Sequence, residues 1–149
     1  MPVDTIHFLP AAGPRFSVYT LLDVFSRWAH AWVSRRANTP ASLRFVRTAQ
    51  ARAPCSFRML QSDHGSEFST SFSERIGLPH RHSRVRQPDD NAHLERFNRT
   101  LQDECLRQTR ADPWHDQRAL RVSLPYDNRE RLHLGLGFRT PWERSQAID

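Results

Sequence analysis

The period of the chain changes at Asn38, and that change limits the architectures open to it. Before it, apolar residues follow a strand pattern. Val3 to Phe8 alternates, "AAGPR" carries the turn signal Gly13–Pro14, and "FSVYTLLDVFSRW" and "AHAWVSR" are rich in aromatic and branched residues. Together they predict a three-stranded antiparallel meander. After it, "NTPASLRFVRTAQARA" has Asn38 or Thr39 as N-cap, Pro40 near the first helical position, and Leu43, Val46 and Ala49 or Gln50 at helical spacing. A short strand "SFRMLQS" follows, then a short helix "FSTSFSERIG" closed by Gly77, then "LPHRHSRVR", a strand running into a basic loop. "PDDNAHLERFNRTLQDECLRQ" is the clearest helix. Asp89 or Asp90 can cap it, and Leu94, Phe97, Leu101 and Cys105 stack on one face. A last helix begins near Pro113 in "DPWHDQRALRVSL"; Pro125 should end or kink it, and the tail beyond is loop-like. Strands, then alternating helices and strands, predict an α/β domain with a mixed sheet.

Charge narrows the partners. The formal net charge is +6, and all 22 basic residues are arginine. Arginine's flat fork suits phosphate oxygens, although a GC-rich genome would favour the same residue. The excess charge points to a polyanion, most often nucleic acid. No run approaches the ~20 apolar residues that span a bilayer. "MPVDTIHFLP" lacks a signal-peptide layout. Cys55 and Cys105 lie far apart and form no metal-ligand pair, which fits a reduced, cytoplasmic setting.

Three acids stand beside apolar elements: Asp4 in the first strand, Asp63 at the end of the fourth, and Glu95 on the long helix. Carboxylates there are expensive to desolvate, and neighbouring ones repel. A divalent cation answers both difficulties, because magnesium takes hard carboxylate oxygens together with substrate phosphate and water. Two such ions, ~3.5–4 Å apart, clamp the attacking and leaving oxygens of a phosphodiester. Taken singly, each acid is also what a turn, a surface strand or a helix surface would carry; Gly65 and Ser66 after Asp63 fit a plain turn.

The order of five motifs resembles the catalytic core of the DDE transposases of bacterial insertion sequences, which are related to retroviral integrases. "VDTIHFLP" is similar to the family's first-aspartate strand, "LLDVFSRWAHAW" to its aspartate-then-Ser-Arg segment, and "QSDHGSEF" to its second-aspartate motif. "DNAHLERFNRTLQDE" is similar to its glutamate helix and "NRERLHLGLGFRTPWE" to its closing segment. The resemblance covers nearly the whole chain. It implies an RNase H-like fold, a five-stranded mixed sheet flanked by helices. It also implies one catalytic-core domain over residues 1–149, truncated at its N-terminus and without the family's helix-turn-helix.

By the same resemblance Asp4, Asp63 and Glu95 are the catalytic triad and hold two Mg2+ or Mn2+ ions. The implied chemistry is phosphoryl transfer on DNA: cleavage that frees a 3′ hydroxyl, then attack of that hydroxyl on target DNA. The implied partners are the element's ends, target DNA and further copies of the chain, in a bacterial nucleoid. Asp23 is a rival for the first acid, and the family pattern makes it structural, pairing with Arg27. Arg99, one turn beyond Glu95, either touches DNA or pairs with Glu95. Arg81, Arg84 and Arg86 form either a DNA-contacting loop or a solvated one. His64, His80, His82 and His93 lie near the acids, and the pattern makes none of them a ligand. A shortened segment between Phe68 and Gly77, and Pro125 in a helix, depart from the pattern. They admit a second reading, a decayed and inactive fragment that binds only DNA or a full-length transposase. A third is a free-standing two-metal nuclease on the same fold.

Overall fold

The computed structural model describes residues 3–8, 15–83, 92–106 and 113–147, with residues 3–8 and 113–114 given by their backbone alone. Strands β1 (Val3–Phe8), β2 (Phe16–Leu22) and β3 (Ala29–Ser34) form the expected antiparallel meander, in the order β1-β2-β3. Every residue of β2 is buried, as befits a central strand covered on both faces. Tyr19 and Leu21 pack with Leu43, Phe45, Val46 and Ala49 of α1 (Thr39–Arg52) and with Phe72 of α2 (Thr70–Arg75). On the other face Phe16 and Val18 pack with Leu101, Leu120 and Leu124 from α3 (Ala92–Leu101) and α4 (Pro113–Arg129). Each fully buried large side chain in these layers is worth ~1.5–3 kcal/mol of transfer free energy.

Local signals account for most boundaries. Asn38 is the cap of α1, and its side chain accepts from the Ala41 amide. Gly77 follows α2 with φ of 74°, a left-handed conformation that glycine adopts without strain. Leu94, Leu101 and Cys105 are buried along one side of α3 and of the π-helical turn Gln102–Leu106 that continues it. Both cysteines are free thiols.

Three expectations need correction. The sheet is not five-stranded: β4 (Leu60–Ser62) and β5 (His80–His82) form a separate parallel pair. Strand β4 lies beside β1, but among the described residues no ladder joins the two. Pro125 does not end α4, which runs on to Arg129. It sits at an exposed position, as does Arg121, whose carbonyl loses its amide partner. The tail is not all loop: α5 (Pro141–Gln146) begins with a capping box in which Thr140 and Glu143 each bond the other's backbone amide. No described helix is long and apolar enough to cross a membrane.

Candidate active site

Strand β4 delivers Asp63 to the surface. Leu60, Gln61 and Ser62 are buried, and the next residue is exposed. Oδ1 of Asp63 accepts from the Gly65 amide at 2.9 Å, so the carboxylate braces its own turn with one oxygen. Among the described residues Oδ2 has no partner. Gly65 has a second role. A Cβ there would lie 2.7 Å from Oε2 of Glu67, closer than real contacts allow. Glu67 is itself buried, in the 3-10 turn Ser66–Phe68, and it helps burial push the Tyr19 phenol above its ordinary range. Sequence reasoning passed over Glu67; its one signal was a second acid four residues after Asp63 and directly before Phe68.

Three histidines surround this turn. His80 bridges two hydroxyls, Ser62 Oγ at 2.8 Å and Ser73 Oγ at 2.6 Å. Burial, with His82 beside it, holds its imidazole below the usual range. His82 Nδ1 lies 2.8 Å from the Asp63 carbonyl, and its ring stacks on His64. A carbonyl only accepts, so His82 donates from Nδ1. These rings are spent on holding the strand end.

Helix α3 carries Glu95 in its first turn, exposed, as is Arg99 one turn on. Among the described residues the two form no ion pair, so the pairing reading of Arg99 is set aside. Asp4 is on β1 opposite Thr20, and its side chain lies outside the described residues. Thr20 is fully buried, and its hydroxyl has no hydrogen-bond partner among the described residues. Strand β1, which carries Asp4, touches both β4, which leads into Asp63, and α3, which carries Glu95. Among the described residues no group of three His, Cys, Asp or Glu is gathered for a metal, and the trio with Asp4 reaches beyond them. The donor types still fit magnesium: Asp63 and Glu95 are exposed carboxylates in no ion pair among the described residues.

Asp23 serves the fold. Oδ2 accepts from the Ser26 amide and hydroxyl at 3.1 and 2.6 Å, and Oδ1 from the Phe25 amide at 3.4 Å. Its expected partner was Arg27, but the carboxylate is occupied by Ser26, and only the backbone amide of Arg27 binds Asp23, at its carbonyl. Arg81 is exposed, and its Nε donates to Gln61 at 2.7 Å. Arg84, Arg86 and the caps Asp89 and Asp90 lie outside the described residues. Of the tryptophans, Trp28 is buried, while Trp142 is half-buried under the Arg129 guanidinium.

A family model described as "Integrase core domain" matches residues 1–88, and a second with the same description matches residues 76–141. The chain is 28% identical over 144 residues to the transposase for insertion sequence element IS904 of Lactococcus lactis, covering 90% of this chain and 56% of the relative. It thus spans about half the length of that curated relative. Among solved structures, an intasome chain of simian T-cell lymphotropic virus superposes with a TM-score of 0.80 at 18% identity, over 98% of this chain and 54% of that one. The catalytic core domain of BIV integrase gives 0.72 at 18%, over 97% and 93%. The magnesium complex of the HTLV-2 integrase catalytic core gives 0.71 at 14%, over 97% and 95%. The expected RNase H-like fold therefore holds, with its sheet divided in two.

Proposed function

Since the chain belongs to the integrase core domain family, we propose that it is the catalytic core of a DNA transposase that cuts and joins phosphodiesters with divalent metal. The observation carrying this reading is that β1, which bears Asp4, touches both β4, which leads into Asp63, and α3, which bears Glu95. Asp4, Asp63 and Glu95 would hold two Mg2+ or Mn2+ ions. Bound there, such ions would neutralise charge on the scissile phosphate and lower the pKa of an attacking water. The chain's own part is positioning. The Gly65 amide fixes one Asp63 oxygen and leaves the other open, and His82 anchors the carbonyl of the same residue. Arg99 and Arg81 are exposed beside this end of the molecule and would hold the DNA backbone. Element ends and target DNA are the substrates this reading implies, and assembly of several copies is the state it implies.

Calorimetric titration of Mn2+ into the chain, with and without a DNA duplex, tests the triad. Asp63→Asn keeps the Oδ1 acceptor for Gly65, so its fold should survive. Binding and DNA cleavage should both fall to background in Asp63→Asn and in Glu95→Gln. Cleavage by Asp63→Asn at the parent rate would remove Asp63 from the chemistry. A folded parent that binds DNA but no metal in either condition would instead fit the decayed fragment.

A further inference from the structure

Two hollows open side by side next to α3, sharing Arg27, Gly135 and Leu136. The outer one leads past Arg139 and Arg144. The inner one encloses about 440 Å³, inside the ~300–1,000 Å³ range of small-ligand sites. Leu22 and Ala29 from the facing ends of β2 and β3 line it, together with Phe97 of α3 and Leu136.

Basic residues gather around this apolar lining. Arg27, Arg96 and His93 all border the inner hollow. Arg27 has φ of 65°, a left-handed conformation that costs a non-glycine residue ~1 kcal/mol. The Asp23–Ser26 bonds hold the turn that imposes it. Its Nη2 lies 3.5 Å from His93 Nε2. Guanidinium only donates, so the His93 ring is the acceptor and is neutral. Burial, with Arg27 and Arg96 nearby, lowers the His93 pKa to match. One carboxylate borders the hollow, Asp127, and it is paired with Arg131 at 3.0 Å. Glu104 also binds Arg131, on its other side. Among the described residues neither Arg27 nor Arg96 is in an ion pair. An apolar hollow bordered by unpaired guanidinium groups suits a ligand with a flat apolar part and an anionic part. A cationic channel leading to an aromatic wall is the arrangement that holds single-stranded nucleic acid.

We propose that the inner hollow receives one unpaired nucleotide of a DNA strand. The base lies against Phe97 and Leu136, its phosphate meets Arg27 and Arg96, and the strand runs out along Arg139 and Arg144. This rests on the DNA-processing reading above and adds to it. Arg96 directly follows Glu95, so a base drawn out here would come from DNA close to the candidate cutting site.

The test is equilibrium binding in EDTA, where nothing is cut. Two DNAs are compared, a fully paired duplex and the same duplex with one extrahelical 2-aminopurine. The parent should bind the second about tenfold or more tightly, as one stacked base allows, and the fluorescence of the probe should change on binding. Thr100→Phe narrows the hollow without altering charge. It should abolish the preference and leave paired-duplex binding at the parent value. Arg96→Gln should weaken both, the extrahelical DNA several times more. Equal binding of the two DNAs by the parent, or an equal loss on both in Thr100→Phe, would overturn the proposal. If that happened while duplex binding and Mn2+-dependent cleavage persisted, the transposase reading would stand. If neither DNA bound, both readings would fall.

Discussion

His30 should make the fold sensitive to acid, by an amount the structure sets. Its ring is buried, stacked 5.3 Å from Phe45 and 6.1 Å from Trp28, and Nε2 has no hydrogen-bond partner among the described residues. Burial first, and the Arg52 charge second, lower its pKa to about 4. The unfolded chain keeps the ordinary value of ~6.5. Between those limits the unfolded state binds a proton that the native state refuses. Stability from this group is therefore complete above pH ~6.5 and is lost as pH falls towards 4. At ~1.4 kcal/mol for each pH unit between the two values, the loss is about 3 kcal/mol. That is a large share of the ~5–15 kcal/mol holding an ordinary domain together. His30→Phe keeps a ring in the stack and removes the proton. Urea unfolding of both proteins across this range should give curves that diverge by about 3 kcal/mol as the pH falls, the variant being the more stable at the acid end. Other groups titrate in both proteins and cancel in the difference. Parallel curves would refute the argument, because His30 would then take its proton equally well folded or unfolded.

Two stability changes follow from α4, both read by urea unfolding at neutral pH. Asn128 covers the outer edge of β3: its amide accepts from Ala29 N–H at 2.9 Å and donates to Ala29 C=O at 2.8 Å. Asn128→Ala should cost about 2–4 kcal/mol, since it strands two buried backbone groups; a loss under about 0.5 kcal/mol would mean that water replaces the amide there. Pro125→Ala should stabilise the chain, by up to about 3 kcal/mol, because alanine restores the amide that the helix lacks. A loss of stability would show that the ring makes a contact the helix needs.

Local chemistry made much of this protein legible. The meander follows from three adjacent runs of strand-forming residues, and the capped start of α1 from Asn38 and Pro40. The turn after Asp63 follows from an acid two residues before glycine. Failures came where a local rule met its surroundings. The proline rule predicts a stop or a kink from one lost bond, whereas the rest of α4 carries the helix past Pro125 to Arg129. Strands β4 and β5 are three residues each, too short to reveal which edge they join. The Thr140–Glu143 box was present in "TPWE", but six residues make a weak helical pattern. The hollow beside α3 could not be read at all, because Arg27, Arg96 and Leu136 meet only after folding.

The carboxylates differ in how far the fold itself uses them. Asp23 and Asp63 look alike in sequence, each following an apolar strand and opening a turn. Both oxygens of Asp23 are occupied, by Ser26 and by the Phe25 amide. Asp63 gives one oxygen to Gly65 and presents the rest of its carboxylate to solvent. In each turn the amide two places on binds Oδ1, so the difference lies one residue further: Ser26 gives its amide and hydroxyl to Oδ2 of Asp23, whereas among the described residues Ser66, which opens a 3-10 turn, gives nothing to Oδ2 of Asp63. A metal ligand needs an acid that is held but not consumed, and of these two turns only the one built on Gly65 leaves its acid in that state.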